Sequence, residues 1–190
     1  MKINKKLQER IDKVTKEQIN IVPYNPQWPI LFEKEAEFLN KSFPYIINRI
    51  EHFGSTSVPG LIAKPIVDML VEISTYKDTK KVIVPKLTSL GYEYFWRPEF
   101  DKPPMYVWFI KRNEKGERTH HIHMVKNDSK LWDRIYFRDY LIRYPEIAKQ
   151  YGDLKTKLFN KYSKDRIWYT KAKTEFITKI TNKAKEEYTK

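Results

Sequence analysis

An α+β domain with a helical C-terminal portion is the fold this sequence predicts, on three observations. Short runs rich in Val, Ile and aromatic residues lie between Asn48 and Lys126, bounded by Gly and Pro. An apolar run with helical spacing precedes them. From Ser129 onward every segment reads helical, so strands and helices are segregated along the chain. The 190 residues suit one domain, and a chain of that length buries roughly 70% of its unfolded surface without crosslinks.

The elements follow in order. Ile3, Leu7, Ile11, Val14 and Ile19 recur at helical spacing among charges, so residues 1–20 read as a basic amphipathic helix. Pro23, Pro26 and Pro29 break the chain into a loop. Leu31, Phe32, Glu35, Ala36 and Leu39 predict a second helix that ends before Pro44. Asn48 to Phe53 reads as a strand, and Gly54-Ser-Thr-Ser-Val-Pro-Gly60 as a loop. Pro65 to Ile73 is an apolar run interrupted by Asp68 and Glu72, the pattern of a buried strand carrying acids at a functional end. Lys77 to Leu90 is read as a helix despite Pro85, with Gly91 at its C-cap. Strands Tyr92–Trp96, Met105–Arg112 and Thr119–Lys126 come next, the last two joined by a hairpin turn over Asn113–Arg118. Pro145 suits a first helical position, and Ser163 or Asp165 a cap of the last helix. The expected domain is residues 21–190, a sheet core to about residue 127 and a helical portion beyond it.

Composition excludes several classes. With no Cys there is no disulfide scaffold, zinc knuckle, thiol nucleophile or iron–sulfur cluster. No apolar run is long enough for a transmembrane helix, and residues 1–20 lack the apolar core of a secretory signal, so the cytoplasm is the expected compartment. Aromatic residues at 15% argue against disorder. The formal charge of +13 has two readings, a Lys-rich solubilising surface or affinity for anionic partners, among them nucleotides, other phosphorylated small molecules and nucleic acid.

The stretch from Ile50 to Ile73 carries the chemistry. Two of the five Gly stand in it, and a strand runs out into Gly54-Ser55, followed by Thr56 and Ser57. Small residues let backbone N–H groups approach a phosphate, and hydroxyls add donors. Twelve residues separate Ser55 from Asp68, enough to turn back into the next strand and set Asp68 beside the bend. A phosphate cradle beside a carboxylate is what magnesium-assisted phosphoryl or nucleotidyl transfer needs. No Walker A spacing is present.

Gly54-Ser55, then Asp68 after about a dozen residues, resembles the nucleotidyltransferase superfamily of the polymerase-beta type. More narrowly, the chain resembles the GrpB (UPF0157) family. The likeness rests on Pro23–Trp28, Glu51–Leu61, Ala63–Asp68, His120–Val125, Phe137–Leu141, Lys155 and Lys171. It implies a nucleotidyltransferase-like mixed sheet with flanking helices, an NTP substrate and Mg²⁺ or Mn²⁺. Gly54 and Ser55, with Thr56 and Ser57, would hold phosphates, and Asp68 would be the first metal-binding carboxylate. The second acid belongs at Leu70, which cannot bind a metal. Glu72 shares the strand face but stands about 13 Å along it. The usual third acid falls on the strand carrying His121 and His123, which would complete the metal shell or take a proton. Lys64 and Arg138 would neutralise pyrophosphate.

Each candidate has a bland counterpart. His121 and His123 are metal ligands or bases, or else half-buried strand histidines. His52 orients the turn or serves chemistry. Asp68 meets a ligand's cation, or pairs internally with Lys64 or Arg138. Arg97, Arg112 and Arg118 face the site or solvent. Arg138 and Asp139 are expected to point apart. Lys155, Tyr169 and Lys171 are expected on a surface helix face rather than in the cleft. Trp132, Tyr136, Phe137, Tyr140 and Tyr144 are read as packing residues, and Trp96, Tyr106, Trp108 and Phe109 as core before base platform. Three functions follow. The first is metal-dependent transfer of a nucleoside monophosphate from an NTP to a small acceptor. The second is a catalytically degenerate protein that binds a nucleotide or phosphometabolite. The third is an RNA-associated basic module. Asp68→Asn is expected to abolish metal-dependent nucleotide binding with little loss of fold.

Overall fold

The computed structural model describes Glu9, Glu17, residues 19–99 and 102–188, and the side chains of these except 97–105. The amphipathic helix expected over residues 1–20 therefore falls mostly outside the described residues, as does the side chain of Arg97.

Asn25 opens the first helix by accepting the Gln27 N–H at 2.9 Å. Helix α1 (Gln27–Ser42) buries Trp28, Glu35, Ala36 and Leu39 along one stripe. The buried Glu35 carboxylate is satisfied by the Tyr92 hydroxyl at 2.6 Å and by Lys111. Strand β1 (Ile47–Phe53) follows, then a 3₁₀ turn (Ser55–Ser57) and β2 (Val67–Ile73). The helix expected around Pro85 forms as α2, in three pieces: Tyr76–Asp78, a π turn over Thr79–Ile83, and Val84–Ser89. Pro85 stands in the first turn of the last piece, directly after the π turn, where its missing N–H is tolerated. Strands β3 (Glu93–Glu99), β4 (Lys102–Arg112) and β5 (Arg118–Val125) complete the sheet.

The sheet order is β1-β2-β5-β4-β3. Only β2 and β5 run parallel, so the sheet is mixed. Its pleat sorts the two faces. Met69, Val71, Ile122, Met124, Val107 and Phe109 pack under α1 and α2. Phe53, Leu70, Tyr106, Trp108, Ile110 and Val125 line the opposite face. Beyond a turn at Lys130–Trp132 come α3 (Asp133–Arg143), α4 (Pro145–Tyr162), α5 (Arg166–Lys171) and α6 (Thr174–Tyr188). They form a third core with Val58 and Leu61, into which Phe137 and Tyr140 are buried. Pro145 does begin α4. Asp165 caps α5 by accepting the Trp168 N–H at 3.0 Å, so it caps the penultimate helix rather than the last. The observed fold is thus the expected α+β domain with a mixed sheet and a helical C-terminal portion. Among the described residues no helix is long and apolar enough to cross a membrane.

Candidate functional site

Sheet register builds the site. Phe53, the last residue of β1, lies opposite Asp68, the second residue of β2. The bend at Gly54 is therefore delivered onto the Asp68 carboxylate. The approach is close: a Cβ on Gly54 would stand 2.6 Å from Asp68 Oδ2, and φ at Gly54 is +74°. On the other side, β5 places His121 opposite Asp68 and His123 opposite Leu70. One ligand atom from each of Asp68, His121 and His123 lies within 4.8 Å of the others.

Hydrogen bonds fix the protonation of His121. Arg118 Nη1 lies 3.3 Å from His121 Nε2, and His121 Nδ1 lies 3.1 Å from Asp68 Oδ1. Guanidinium only donates, so Nε2 accepts and Nδ1–H donates to the carboxylate. Burial, opposed by Asp68, pushes the imidazole down to about 4. For Asp68, burial acts upward, yet the His121 bond and the positive charge of Lys64 hold its carboxyl below the usual range. His123 turns Nδ1 toward the Tyr106 hydroxyl at 3.1 Å. The Asp68 side chain keeps 30% of its surface open, enough for a ligand to reach it.

Around this carboxylate stands an excess of cations. Its field acts on Lys64, Lys173, Arg134 and Arg166. Lys173 is 9% exposed and lies 4.3 Å from the centre of the Tyr169 ring, with Lys64 5.6 Å from the same ring. Burial pushes Lys173 down to about 8 despite the pull of Asp68, and it depresses Lys64 strongly, helped by the like charge of Lys173. Arg134 on α3 also feels Tyr106 and Tyr151. Tyr151 on α4 hydrogen-bonds Ser55 in the bend. Ser55, Asp68, His121 and Lys64 are therefore brought together as the sequence suggests, while Lys173, Arg134, Arg166 and Tyr151 enter unannounced. Lys173 lies in the turn between α5 and α6, two residues past the end of α5, so helical spacing from Tyr169 does not announce it.

Other expected residues have structural work. The Thr56 hydroxyl is 1% exposed, donates to the Ile66 carbonyl at 3.3 Å and lies 3.0 Å from His52 Nε2. Ser57 Oγ closes the turn on the Gly54 carbonyl at 2.6 Å. Both hydroxyls brace the bend through these bonds. His52 stacks on Phe32 at 4.8 Å, and His120 is buried under α1 beside the Leu31 carbonyl. Arg138 is a correction. Its guanidinium is held by Glu51 at 2.7 Å, the His52 carbonyl at 2.8 Å and Asp139 at 2.7 Å, so it clamps α3 to β1. Arg138 and Asp139 meet despite being adjacent, because Nε reaches back along its own long side chain. Lys155 and Tyr169 are buried at 2% and 1%, against the surface position expected for both, and only Lys171 is exposed. Lys155 donates to the Ile62 carbonyl, and burial lowers it to about 6. Tyr106, Trp108 and Phe109 are core residues and offer no open base platform.

A pH dependence follows. Burial pushes His52 and His121 each to about 4. An unfolded imidazole titrates near 6.5, so on acidification the unfolded chain takes up protons that the fold refuses, and stability falls between about pH 6.5 and 4. By pH 5 the loss is roughly 2 kcal/mol for each histidine. Urea midpoints at pH 7 and pH 5 measure it, and equal midpoints would show both imidazoles to be hydrated.

The donor set does not suit a resident Mg²⁺ or Mn²⁺ ion. Magnesium takes oxygen ligands, and here one carboxylate stands with two imidazoles. Manganese tolerates imidazole, but both His121 nitrogens are engaged by Asp68 and Arg118. Leu70, where a second acid would stand, is fully buried in the apolar face. The surrounding cations oppose a further positive charge.

Comparison with known proteins fits this arrangement of bend, aspartate and paired histidines into a family. The chain is 34% identical over 170 residues to the glutamate-rich protein GrpB of Alkalihalophilus pseudofirmus, covering 89% of this chain and 97% of the relative. It is 36% identical over 171 residues to the UPF0157 protein PA4798 of Pseudomonas aeruginosa, covering 88% and 68%. The crystal structure of the conserved protein GrpB from Enterococcus faecalis superposes with a TM-score of 0.79 at 33% identity, over 90% of this chain and all of that one. Cid1 poly(U) polymerase superposes over 83% of this chain and 49% of its own, with a TM-score of 0.47 at 14% identity, a likeness too loose to bear on mechanism. The family model described as GrpB protein spans residues 18–183, from Ser55 and Asp68 to Lys173, and the chain belongs to the GrpB family.

Proposed function

We propose that this protein binds a phosphorylated small molecule, with a nucleoside triphosphate as the leading candidate, in the pocket over Asp68. The observation that supports it is an excess of positive charge: the buried Lys173 and the half-buried Lys64 share the field of one carboxylate already bonded to His121. Cations held out of water are unfavourable unless an anion meets them. A phosphate chain supplies that anion. Ser55 and Tyr151 add hydroxyls beside it. Arg134 suits bidentate contact with phosphate oxygens, and the lysines act as point charges.

A second reading, transfer of a nucleoside monophosphate, is favoured by Asp68, whose side chain is 30% exposed against the Gly54 bend. The acceptor oxygen bonds to the α-phosphorus, the α–β phosphoanhydride bond breaks, and pyrophosphate leaves. Asp68 takes the acceptor's hydroxyl proton, and the cations neutralise the departing charge.

Thermal unfolding with each NTP, with pyrophosphate and without ligand, in the presence and absence of Mg²⁺, tests the first reading. At a hundredfold excess over Kd the expected stabilisation is ~2.7 kcal/mol, roughly 5–10 °C for a chain of this size. Lys173→Met should abolish the shift. A wild-type protein that no phosphorylated probe stabilises overturns the reading. Pyrophosphate release then separates transfer from binding alone.

A further inference from the structure

A cleft with a volume of about 460 Å³ is lined in part by Lys64, which also stands near Asp68. Lys64, Arg112, Arg118 and Arg166 line it, with Glu17 and Glu117 opposite. Glu117 is occupied by the Asn113 side-chain amide at 2.8 Å. Glu17 is placed differently. One of its oxygens accepts from Arg112 Nη2 at 2.6 Å, and the other from Arg118 Nε at 2.6 Å. A single carboxylate thus bridges two guanidinium groups, the geometry in which such groups hold a ligand's carboxylate or phosphate. The seat is not saturated, because Arg166 Nη2 is buried with no hydrogen-bond partner among the described residues. It is also wired to the first pocket: the Arg118 side chain is 5% exposed and its other arm reaches His121, which bonds Asp68.

We infer that this cleft is an oxyanion subsite of its own, that it takes the phosphate or carboxylate of a second substrate, and that Glu17 fills it as an internal stand-in for that group. The inference goes beyond the proposed nucleotide site and shares Lys64 and Arg166 with it. Two features speak for a displaceable stand-in over a permanent clamp. Arg112 has other fixed partners, Glu93 and the Gly116 carbonyl at 2.8 Å, so it stays in place when Glu17 leaves. Glu17 itself keeps 31% of its side-chain surface exposed, so a ligand can compete for its arginines.

Titration calorimetry with inorganic phosphate and with succinate tests this on the full chain carrying Lys173→Met, which disables the nucleotide pocket. Adding Glu17→Gln should tighten oxyanion binding ~tenfold, the equivalent of one charge-assisted hydrogen bond no longer contested. Adding Arg166→Met should erase that gain. The anion that gains more, phosphate or succinate, identifies the group the seat is built for. If Glu17→Gln binds neither anion more tightly, or if Arg166→Met keeps the gain, the inference is overturned. Should the Glu17 variant not fold, Arg166→Met alone must still weaken oxyanion binding, and unchanged affinity overturns the inference equally. A protein that ignores every nucleotide yet shows the Glu17 effect would sink the nucleotide pocket and leave this subsite standing.

Discussion

Asp68→Asn should lower stability by roughly 3 kcal/mol, about 6–10 °C in melting temperature. The substitution is nearly isosteric, and the new side-chain carbonyl can still accept from His121 Nδ1. What it removes is charge. Lys64, Lys173, Arg134 and Arg166 all feel the Asp68 carboxylate. Without it, these groups are left crowded together. The sequence alone suggests the opposite, a variant that loses ligand and keeps its fold, because it does not reveal how many cations depend on this one acid. The companion variant has the reverse sign. Lys173→Met keeps the aliphatic stem over Tyr169 and removes a buried charge, so it should stabilise the protein by ~1–3 kcal/mol while abolishing phosphate binding. Combining the two should recover part of the Asp68→Asn loss, since each charge matters through the other. Denaturant melts of the four proteins measure all three quantities. A melting temperature for Asp68→Asn within about 2 °C of wild type would mean that the cations are solvated and need no counter-charge.

Much of this centre is legible in the sequence. An acid in an apolar strand, a Gly-Ser bend and a single dozen-residue connection are local features, and the antiparallel pairing of β1 with β2 brings them together with little freedom. The pairing of His121 with Asp68 needs one more assumption, that β5 lies next to β2, which the family likeness supplies. The cationic wall is not legible. Lys and Arg number 37, and helices α3 to α6 carry many of them at every helical angle. Which few turn inward depends on how the helical portion docks on the sheet, information that is spread over distant contacts. Arg138 shows the limit from the other side. It stands in a string that marks the family, but its partner Glu51 lies 87 residues away, and the string says nothing of that partner. Lys155 reads as a surface residue because a buried lysine is rare. Its compensation, the Ile62 carbonyl, belongs to a loop whose path the sequence does not fix.

Gly54→Ala should be more damaging still, with a loss of ~4 kcal/mol that has two separable causes. The first is the backbone. Gly54 sits at φ +74° and ψ −170°, a region essentially closed to residues with a side chain, and holding alanine there costs roughly 1–3 kcal/mol. The second is space. The new methyl would meet Asp68 Oδ2 at 2.6 Å, with Asp68 Cβ at 3.2 Å behind it, so the carboxylate must swing away. Swinging away breaks its contact with His121 and withdraws the counter-charge from the cations. Asp68→Ala removes the carboxylate, the nearest obstruction, keeps Cβ at 3.2 Å and leaves the backbone unaltered. In that background Gly54→Ala should therefore cost only the conformational part, about half of its effect in the wild type. If alanine at position 54 were equally harmful with and without the Asp68 carboxylate, the bend and the aspartate would be independent features. The pocket would then have no reason to require glycine where the chain leaves β1. If the penalty shrinks as expected, the glycine is there for the carboxylate: its missing side chain is the space in which a charged group can stand against the bend and still face a ligand.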